Sequence, residues 1–478
     1  MGPFNLLVKA YATLKFDRVD IDYVAEFQQR RLRRLLKHAV ARSEFYHNLY
    51  QGIDVANCRL TDLPSVTKTA MIDNWNRFVT DKRLIYSEIQ NWRRDADNDG
   101  KRYLGEFIPI YTSGSSGEPT LIIYHRKALE SVQANLFARS ALSNKKMRAY
   151  DFAKMLVLRL SGRRVRMAGI AIPRGNMDVL FNNVPSLHNF FLKVNVLSSL
   201  DPIHRIVEVL NEFQPDCLIS YPFLIALLAQ EQLAGRLKIK FDHPLSFVAG
   251  GSEPLTEHTQ KLAETAWNRR IRNIYGAVEC FTMATSCRMF DRLHVMSHLC
   301  IIEIVDHDNN PVPPGRYGDK VLMTNLFNFA QPIIRYEIED VTGYAEQSCE
   351  CGSPFPTLLP VKGRTTDFMY FQKTRGGYER CHPYHLLVPL FYISDLRQYQ
   401  IVQTARNELT LYYVSPKTAV DMEPQLTRAL EDALTRAGIE GKLNIKYQQV
   451  PSISRDKRSG KFKMIKSMGA PADLDAFL

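Results

Sequence analysis

Long apolar runs are missing from this sequence. The longest, Tyr221–Ala229, is nine residues, against the ~20 that a helix needs to cross a bilayer, so no transmembrane segment is expected. The opening MGPFNLLVKAYATLKF has an apolar patch broken by Lys9 and no small-residue cleavage site, unlike a secretory signal. Position 6 lacks the Ser or Thr that myristoylation of Gly2 prefers, and the final AFL offers no prenylation Cys. Cysteine is sparse, eight in 478 residues, so a secreted disulfide framework is not expected and the chain reads as cytoplasmic. Repeats and low-complexity segments are absent. Acidic residues are in deficit, 50 against 62 Lys plus Arg, giving a formal charge of +12. A basic chain meets something anionic: nucleic acid, an acidic membrane surface, a polyphosphate cofactor or an acidic carrier protein.

What is present is an ordinary globular balance, 45% hydrophobic and 23% charged, at a length that suits two or three domains at roughly 100 to 200 residues each. The first hundred residues read as basic helices. In FQQRRLRRLLKHAVARSEFYHNLY, Leu32, Leu35, Leu36, Val40 and Phe45 recur at helical spacing, with Arg30, Arg31, Arg33, Arg34 and Lys37 between them. Such a run could meet phosphates or a membrane, but a solvated face on a packed helix fits the apolar stripe better. From about Arg102 the texture turns to strand, glycine-rich turn and helix (EFIPIY, then LVLRL, CLISYPFLIALLAQEQLAG, SFVAGG, RNIYG and KVLMTNL, separated by helical patterns such as Asp201–Phe213 and Thr256–Arg269), which predicts an α/β fold. After about Asp367, the strands QYQIVQT and ELTLYYV around a helix Glu423–Ala437 predict a smaller α+β domain beyond a hinge.

The strongest local signal is Tyr111-Thr-Ser-Gly-Ser-Ser-Gly-Glu-Pro-Thr120. A loop of Ser, Thr and Gly offers backbone N–H groups and hydroxyls to an anion at close range. It lacks the Lys of a G-x-x-x-x-G-K-[ST] loop. Three further segments follow: Ala249-Gly-Gly-Ser-Glu-Pro254, whose glycines let a flat ring lie close; Asn273-Ile-Tyr-Gly-Ala-Val-Glu279, whose carboxylate could hold Mg²⁺; and Pro332-Ile-Ile-Arg-Tyr-Glu-Ile-Glu-Asp340, with an Arg for phosphate and an Asp for ribose hydroxyls.

Taken in order with GRTTD and SRDKRSGKFKMIKS, these segments resemble the adenylate-forming superfamily, most closely its phenylacetate:CoA ligase branch and the related proteins of capsule-biosynthesis clusters. The resemblance implies a large N-terminal α/β adenylation domain over residues 1–362, a hinge at 363–367 centred on Asp367, and a small mobile α+β domain over 368–478. It implies ATP-dependent activation of a small, aromatic carboxylic acid as an acyl-adenylate, then transfer to coenzyme A. The adenylate could instead pass to an acyl carrier protein or an amine. A rival of another class is a basic binding protein on a degenerate enzyme fold. By position, Ser113, Gly114, Ser115, Ser116, Gly117 and Thr120 would hold phosphates and Glu279 the Mg²⁺. Gly251, Ser252, Glu253, Tyr275 and Gly276 would frame adenine, Asp340 the ribose, and Arg364 and Arg335 would meet nucleotide phosphate. Lys461 would reach the carboxylate and α-phosphate oxygens. Tyr221, Phe223 and Gly250 would line the acid. Nucleic acid is not an expected partner, and a homodimer is left open. Two positions depart from the family pattern: Val278 stands where Ser or Thr is usual, and Glu339 where Gly is usual.

A metal site is also readable. Cys287 and His294 precede the C-x-C of Cys349 and Cys351, and three thiolates with one imidazole suit a tetrahedral structural Zn²⁺. The C-x-C before Gly resembles a metal-binding variant of the same branch, with His298 as a spare ligand.

Overall fold

A computed structural model describes residues 3–98, 100–111, 120–139, 164–171, 173, 192–243, 245–287, 292–364, 369–373, 376–381, 384–391, 393, 395–436, 439, 443–454, 464–469 and 471. The chain divides into two compact units: Met1–Leu255 with Thr259–Ile338 and Thr342–Pro360, and Thr256–His258 with Glu339–Val341 and Val361–Leu478.

The first unit begins with helices. Ile21–Arg42 buries Leu32, Leu35, Leu36 and Ala39, the stripe that the spacing predicts, while Val40 and Phe45 are only half-buried. Ser43 ends it and caps the next helix, Glu44–Leu49, its hydroxyl accepting from Tyr46 N–H. Arg30, Arg34 and Lys37 are exposed while Arg31 and Arg33 are half-buried: Arg31 stacks on Phe27, Arg34 on Phe329, and Arg33 donates to the Val55 carbonyl. Among the described residues, none of Arg30, Arg31, Arg33, Arg34 and Lys37 pairs with a carboxylate.

A hairpin of β1 (Phe107–Tyr111) and β2 (Leu121–His125) flanks the Ser/Gly loop. The centre of the unit is an eight-stranded sheet built from β3 (Val165–Ala171), β4 (Leu192–Ser198), β5 (Cys217–Ser220), β6 (Phe247–Gly251), β7 (Ile271–Ala277), β8 (Cys280–Ser286), β9 (Leu293–Val295) and β13 (Thr357–Leu358). Its order is β13-β9-β8-β7-β6-β5-β3-β4. The five strands from β4 to β7 are parallel, and β8, β9 and β13 extend them antiparallel. Parallel strands need crossovers, supplied by helices Ile203–Phe213, Pro222–Leu233 and Glu257–Trp267. Their Leu210, Leu224, Leu228 and Trp267 pack with Leu218 and Val248 of the sheet; each such buried aliphatic contributes about 1.5–3 kcal/mol. β6 is fully buried and β5 nearly so, as strands inside a parallel sheet are, whereas β4 and β7 carry Lys193, Asn195, Arg272 and Asn273 and are largely half-buried. A second sheet joins β10 (Cys300–Val305), β11 (Lys320–Asn325) and β12 (Tyr336–Ile338).

In the second unit β14 (Met369–Gln372) pairs with β15 (Tyr378–Cys381). A four-stranded sheet of β16 (Gln398–Ala405), β17 (Glu408–Val414), β18 (Asn444–Gln449) and β19 (Ile465–Lys466) has the order β18-β17-β16-β19. The helix Ala419–Arg436 packs Met422, Leu426 and Leu430 on it. That helix begins four residues before the expected Glu423, because a Thr418–Asp421 hydrogen bond starts it ahead of Pro424. The expected strand LVLRL lies outside the described residues.

Candidate active site

Two strand ends of the parallel sheet bring most of the expected first-unit residues together. β6 ends in Gly250-Gly251, and Gly251 is the register partner of Ile274 on β7, one residue before Tyr275. A Cβ on Gly251 would lie 2.7 Å from the Ile274 carbonyl oxygen, so only glycine allows this strand spacing. Ser252 follows with φ of 67°, the left-handed turn that takes the chain off the sheet. The Glu253 carboxylate accepts from Phe223 N–H at 3.3 Å, at the N-terminus of the helix Pro222–Leu233, where the helix dipole favours an anion. Gly250 lies against Pro222 and Ile225 of that helix. Gly251, Ser252 and Glu253, expected to frame adenine, and Tyr221 and Phe223, expected to line the acid, thus share one connected turn region.

β7 and β8 form a hairpin in which Ala277 pairs with Cys280, leaving Val278-Glu279 as the turn. The register slips between Tyr275 and Ala277, so Gly276 sits at a bulge. A Cβ there would meet the Phe281 carbonyl oxygen at 2.1 Å. Glu279 is buried, 7% exposed, and its main-chain carbonyl accepts from the Asn325 side-chain amide at 2.8 Å. The Tyr124 hydroxyl donates to the Val278 carbonyl at 2.7 Å, and burial holds that phenol well above its ordinary pKa. Thr120, at the end of the Ser/Gly loop, is buried. Residues Ser113, Gly114, Ser115, Ser116 and Gly117, the hinge residue Asp367 and Lys461 lie outside the described residues.

In the second unit Asp340 and Arg364 face each other across an isolated β-bridge. Arg364 Nε donates to Asp340 Oδ1 at 3.2 Å, pairing the residue expected at the ribose with the one expected at the nucleotide.

Arg335 requires a correction. It is only 5% exposed, forms an ion pair with Glu303 at 3.1 Å and donates to the Leu63 and Thr61 carbonyls. A guanidinium so occupied holds the N-terminal segment to the second sheet and is not free for phosphate.

The metal quartet comes together. The ligand atoms of Cys287, His294, Cys349 and Cys351 all lie within 4.8 Å of one another, with Cys349 Sγ to Cys287 Sγ at 3.8 Å and Cys351 Sγ to His294 Nε2 at 3.4 Å. A tetrahedron with metal–sulfur bonds of about 2.3 Å and metal–nitrogen bonds of about 2.0 Å has edges of about 3.8 and 3.5 Å, so the donor set fits zinc. His294 Nδ1 lies 3.0 Å from the Phe355 carbonyl, which fixes the tautomer that leaves Nε2 for a metal. Burial first, then the Cys349 and Cys287 thiols, push Cys351 up to about 12 in the absence of a cation. His298 is not a spare ligand. It is buried with Nε2 3.1 Å from Asn135 Oδ1, its ring stacked between Phe16 and Phe355.

Sequence reasoning missed Tyr124 and Asn325, which touch the turn bearing Glu279. The only sequence signal for them is the Asn325-x-x-Asn328-x-x-Gln331 spacing of amides in an otherwise apolar segment.

No family model matches the chain. It is 25% identical over 421 residues to the phenylacetate-coenzyme A ligase of Thermus thermophilus, covering 86% of this chain and 85% of that protein. The chain is similar to phenylacetate-coenzyme A ligase over most of its length. A shorter stretch of 136 residues, 27% of this chain and 22% of the relative, is 27% identical to the mitochondrial acyl-coenzyme A synthetase ACSM2 of Rattus norvegicus. The solved structure of 2-hydroxyisobutyryl-CoA ligase in complex with its acyl-adenylate 2-HIB-AMP matches with a TM-score of 0.68 over 94% of this chain and 90% of that one, at 18% identity. The fold is therefore that of 2-hydroxyisobutyryl-CoA ligase, and the α/β reading of the sequence holds. The turn bearing Glu279, which follows β7, and the Gly250-Gly251 end of β6 lie at the same end of the central sheet, where α/β folds place their ligands.

Proposed function

We propose that the chain is an AMP-forming acid:thiol ligase that activates a small aromatic carboxylic acid with ATP and transfers it to coenzyme A. The observation that carries this reading is the turn Ala277–Cys280. It presents a buried carboxylate, Glu279, beside the close-packed Gly251–Ile274 strand pair, in a chain similar to phenylacetate-coenzyme A ligase over most of its length. Glu279 is a hard oxygen donor of the kind that completes the shell of a Mg²⁺ bound mainly by phosphates and water. That ion, when bound, neutralises phosphate charge. Gly251, Ser252, Glu253, Tyr275 and Gly276 frame the adenine; Tyr221, Phe223 and Gly250 border the acid; Ser113 to Gly117 and Thr120 hold the phosphates. Asp340 accepts from the ribose hydroxyls and Arg364 orients it. Lys461 donates to the acid carboxylate and α-phosphate oxygens, stabilising the charge that develops as the carboxylate attacks phosphorus and pyrophosphate leaves. Asp367 is the hinge between half-reactions. Cys287, His294, Cys349 and Cys351 hold a structural Zn²⁺. The protein acts in the cytoplasm.

The test is ATP–pyrophosphate exchange with a panel of aryl and arylalkyl acids, followed by the complete reaction with coenzyme A, a carrier protein or an amine. Exchange with an aromatic acid and a thioester product with coenzyme A are expected; no exchange with any acid rejects the ligase reading. Lys461→Ala should lower exchange by at least about 100-fold and largely spare thioester formation from supplied acyl-adenylate.

A further inference from the structure

The turn that carries Glu279 is held in an unusual way. A two-residue hairpin turn ordinarily leaves its main-chain carbonyls to water, yet both carbonyls of Val278-Glu279 are bonded by buried side chains. Tyr124 OH donates to Val278 O at 2.7 Å and Asn325 Nδ2 to Glu279 O at 2.8 Å. Asn325 is itself locked, because its Oδ1 accepts from Phe327 N–H and Asn328 N–H, both at 3.0 Å.

The same segment grips β2. Asn328 Nδ2 donates to the Ile123 carbonyl at 2.8 Å, Gln331 Oε1 accepts from Ile123 N–H at 2.7 Å, and Gln331 Nε2 donates to the Leu121 carbonyl at 3.4 Å. Side-chain amides thus do for β2 what a neighbouring strand would do. Tyr124, Asn325, Asn328 and Gln331 are all fully buried, and apart from Asn328 Oδ1 their polar atoms are hydrogen-bonded, which offsets the desolvation cost of burying them. β2 directly follows the Ser/Gly loop in sequence. The polar set therefore ties the strand leaving that loop to the turn bearing Glu279.

We propose that Tyr124 and Asn325 are positioning residues that fix Glu279 for the metal–nucleotide complex, with Asn328 and Gln331 holding β2 in the same frame. This rests on the reading of Glu279 as the carboxylate that faces Mg²⁺. It assigns these four residues a role in Mg²⁺-dependent ATP binding, beyond simple core filling.

The experiment measures ATP affinity by calorimetry with and without Mg²⁺, which needs no knowledge of the acid, for the wild type, Glu279→Gln, Tyr124→Phe and Asn325→Ser. Tyr124→Phe removes one hydroxyl and keeps the ring contacts with Phe281 and Phe327. Asn325→Ser keeps an acceptor for the Phe327 and Asn328 N–H groups and cannot span to Glu279. Expected is a loss of about fivefold or more in ATP affinity with Mg²⁺ in both variants, with affinity in its absence unchanged. A parallel loss in both conditions, or none in either, overturns the proposal while a Mg²⁺-specific loss in Glu279→Gln leaves the Glu279 reading standing. No Mg²⁺-specific loss in Glu279→Gln overturns both.

Discussion

The Arg364 guanidinium donates to the Asp340 carboxylate at 3.2 Å, with the carboxylate buried and the guanidinium half-exposed. Asp340 thereby keeps one oxygen edge engaged and is held by main chain as well, through the Asp340–Arg364 bridge. If Asp340 is the ribose acceptor proposed above, a carboxylate held so is oriented before the nucleotide arrives, which lowers the entropy lost on binding. Asp340→Ala removes charge-assisted hydrogen bonds worth about 1.5–3 kcal/mol, so the KM for ATP should rise roughly 10- to 100-fold. Arg364→Ala acts through the partly exposed pair, worth about 1 kcal/mol or less, and should raise it only a few-fold by that route. Equal effects of the two variants would mean that Arg364 itself touches the nucleotide. Steady-state kinetics with ATP varied separates these cases.

The cysteine–histidine quartet predicts about one zinc per chain by elemental analysis of protein purified without added metal. Cys351→Ser should lose that zinc and lower the melting temperature by several degrees, since the ligands come from strand β9 and from two loops that the ion would cross-link beyond the Arg292–Gln347 hydrogen bond already joining them. Their sequence separation makes the closed loops long, so the ion's constraint on the unfolded chain is large. Exchange activity should fall only in step with stability. Activity lost at unchanged melting temperature would give the metal a catalytic place instead.

These two sites were legible in the sequence to different degrees. Cys349-x-Cys351 announced itself, because paired thiols before a glycine have few uses inside a reduced protein. Glu279 and Gly251 were readable as strand ends because glycine beside a predicted strand marks close backbone approach. Arg335 misled: the segment around it suggests phosphate, but its partner Glu303 lies 32 residues away in sequence and the pair exists only once β10 and β12 flank β11. His298 misled for a similar reason, since the turn after β9 carries it to Asn135 and away from the cysteines. The amides Asn325, Asn328 and Gln331 carry no motif beyond their spacing. Their role depends on which strand lies beside them, which one-dimensional spacing does not encode.

Gly276→Ala should be among the most damaging single-atom additions in the central sheet. The new Cβ would stand 2.1 Å from the Phe281 carbonyl oxygen, a backbone atom that cannot move without unpairing β7 from β8. The variant should lose at least about 2–3 kcal/mol of stability by overpacking, and residual folded protein should bind ATP more weakly because the displaced strand carries Tyr275 and leads into Glu279. Gly52→Ala is the control: its φ is 83° but nothing lies within 4 Å of where a Cβ would stand, so it should lose only about 1 kcal/mol, from backbone strain. Denaturant titration of both variants gives the comparison.

The Arg335–Glu303 pair gives the last prediction. Both side chains are largely buried; burial raises the Glu303 pKa, and the adjacent guanidinium only partly offsets this. Arg335→Ala leaves a buried carboxylate without its cation and strips donors from the Leu63 and Thr61 carbonyls, so it should lose about 3–5 kcal/mol. The sign of the pH dependence follows from the raised pKa. Between the ordinary carboxylate value and the raised one, the folded state binds more protons than the unfolded state, so this group's contribution to stability falls as pH rises through that window. Removing Arg335 should raise the Glu303 pKa further and widen the window, making the variant relatively more stable in mild acid than at neutral pH. Glu303→Gln in the wild-type background should abolish the effect. Chemical denaturation of the three proteins from about pH 5 to 8 measures it, and a variant whose stability deficit is flat across that range would rule out a charged Glu303 as the source of the loss.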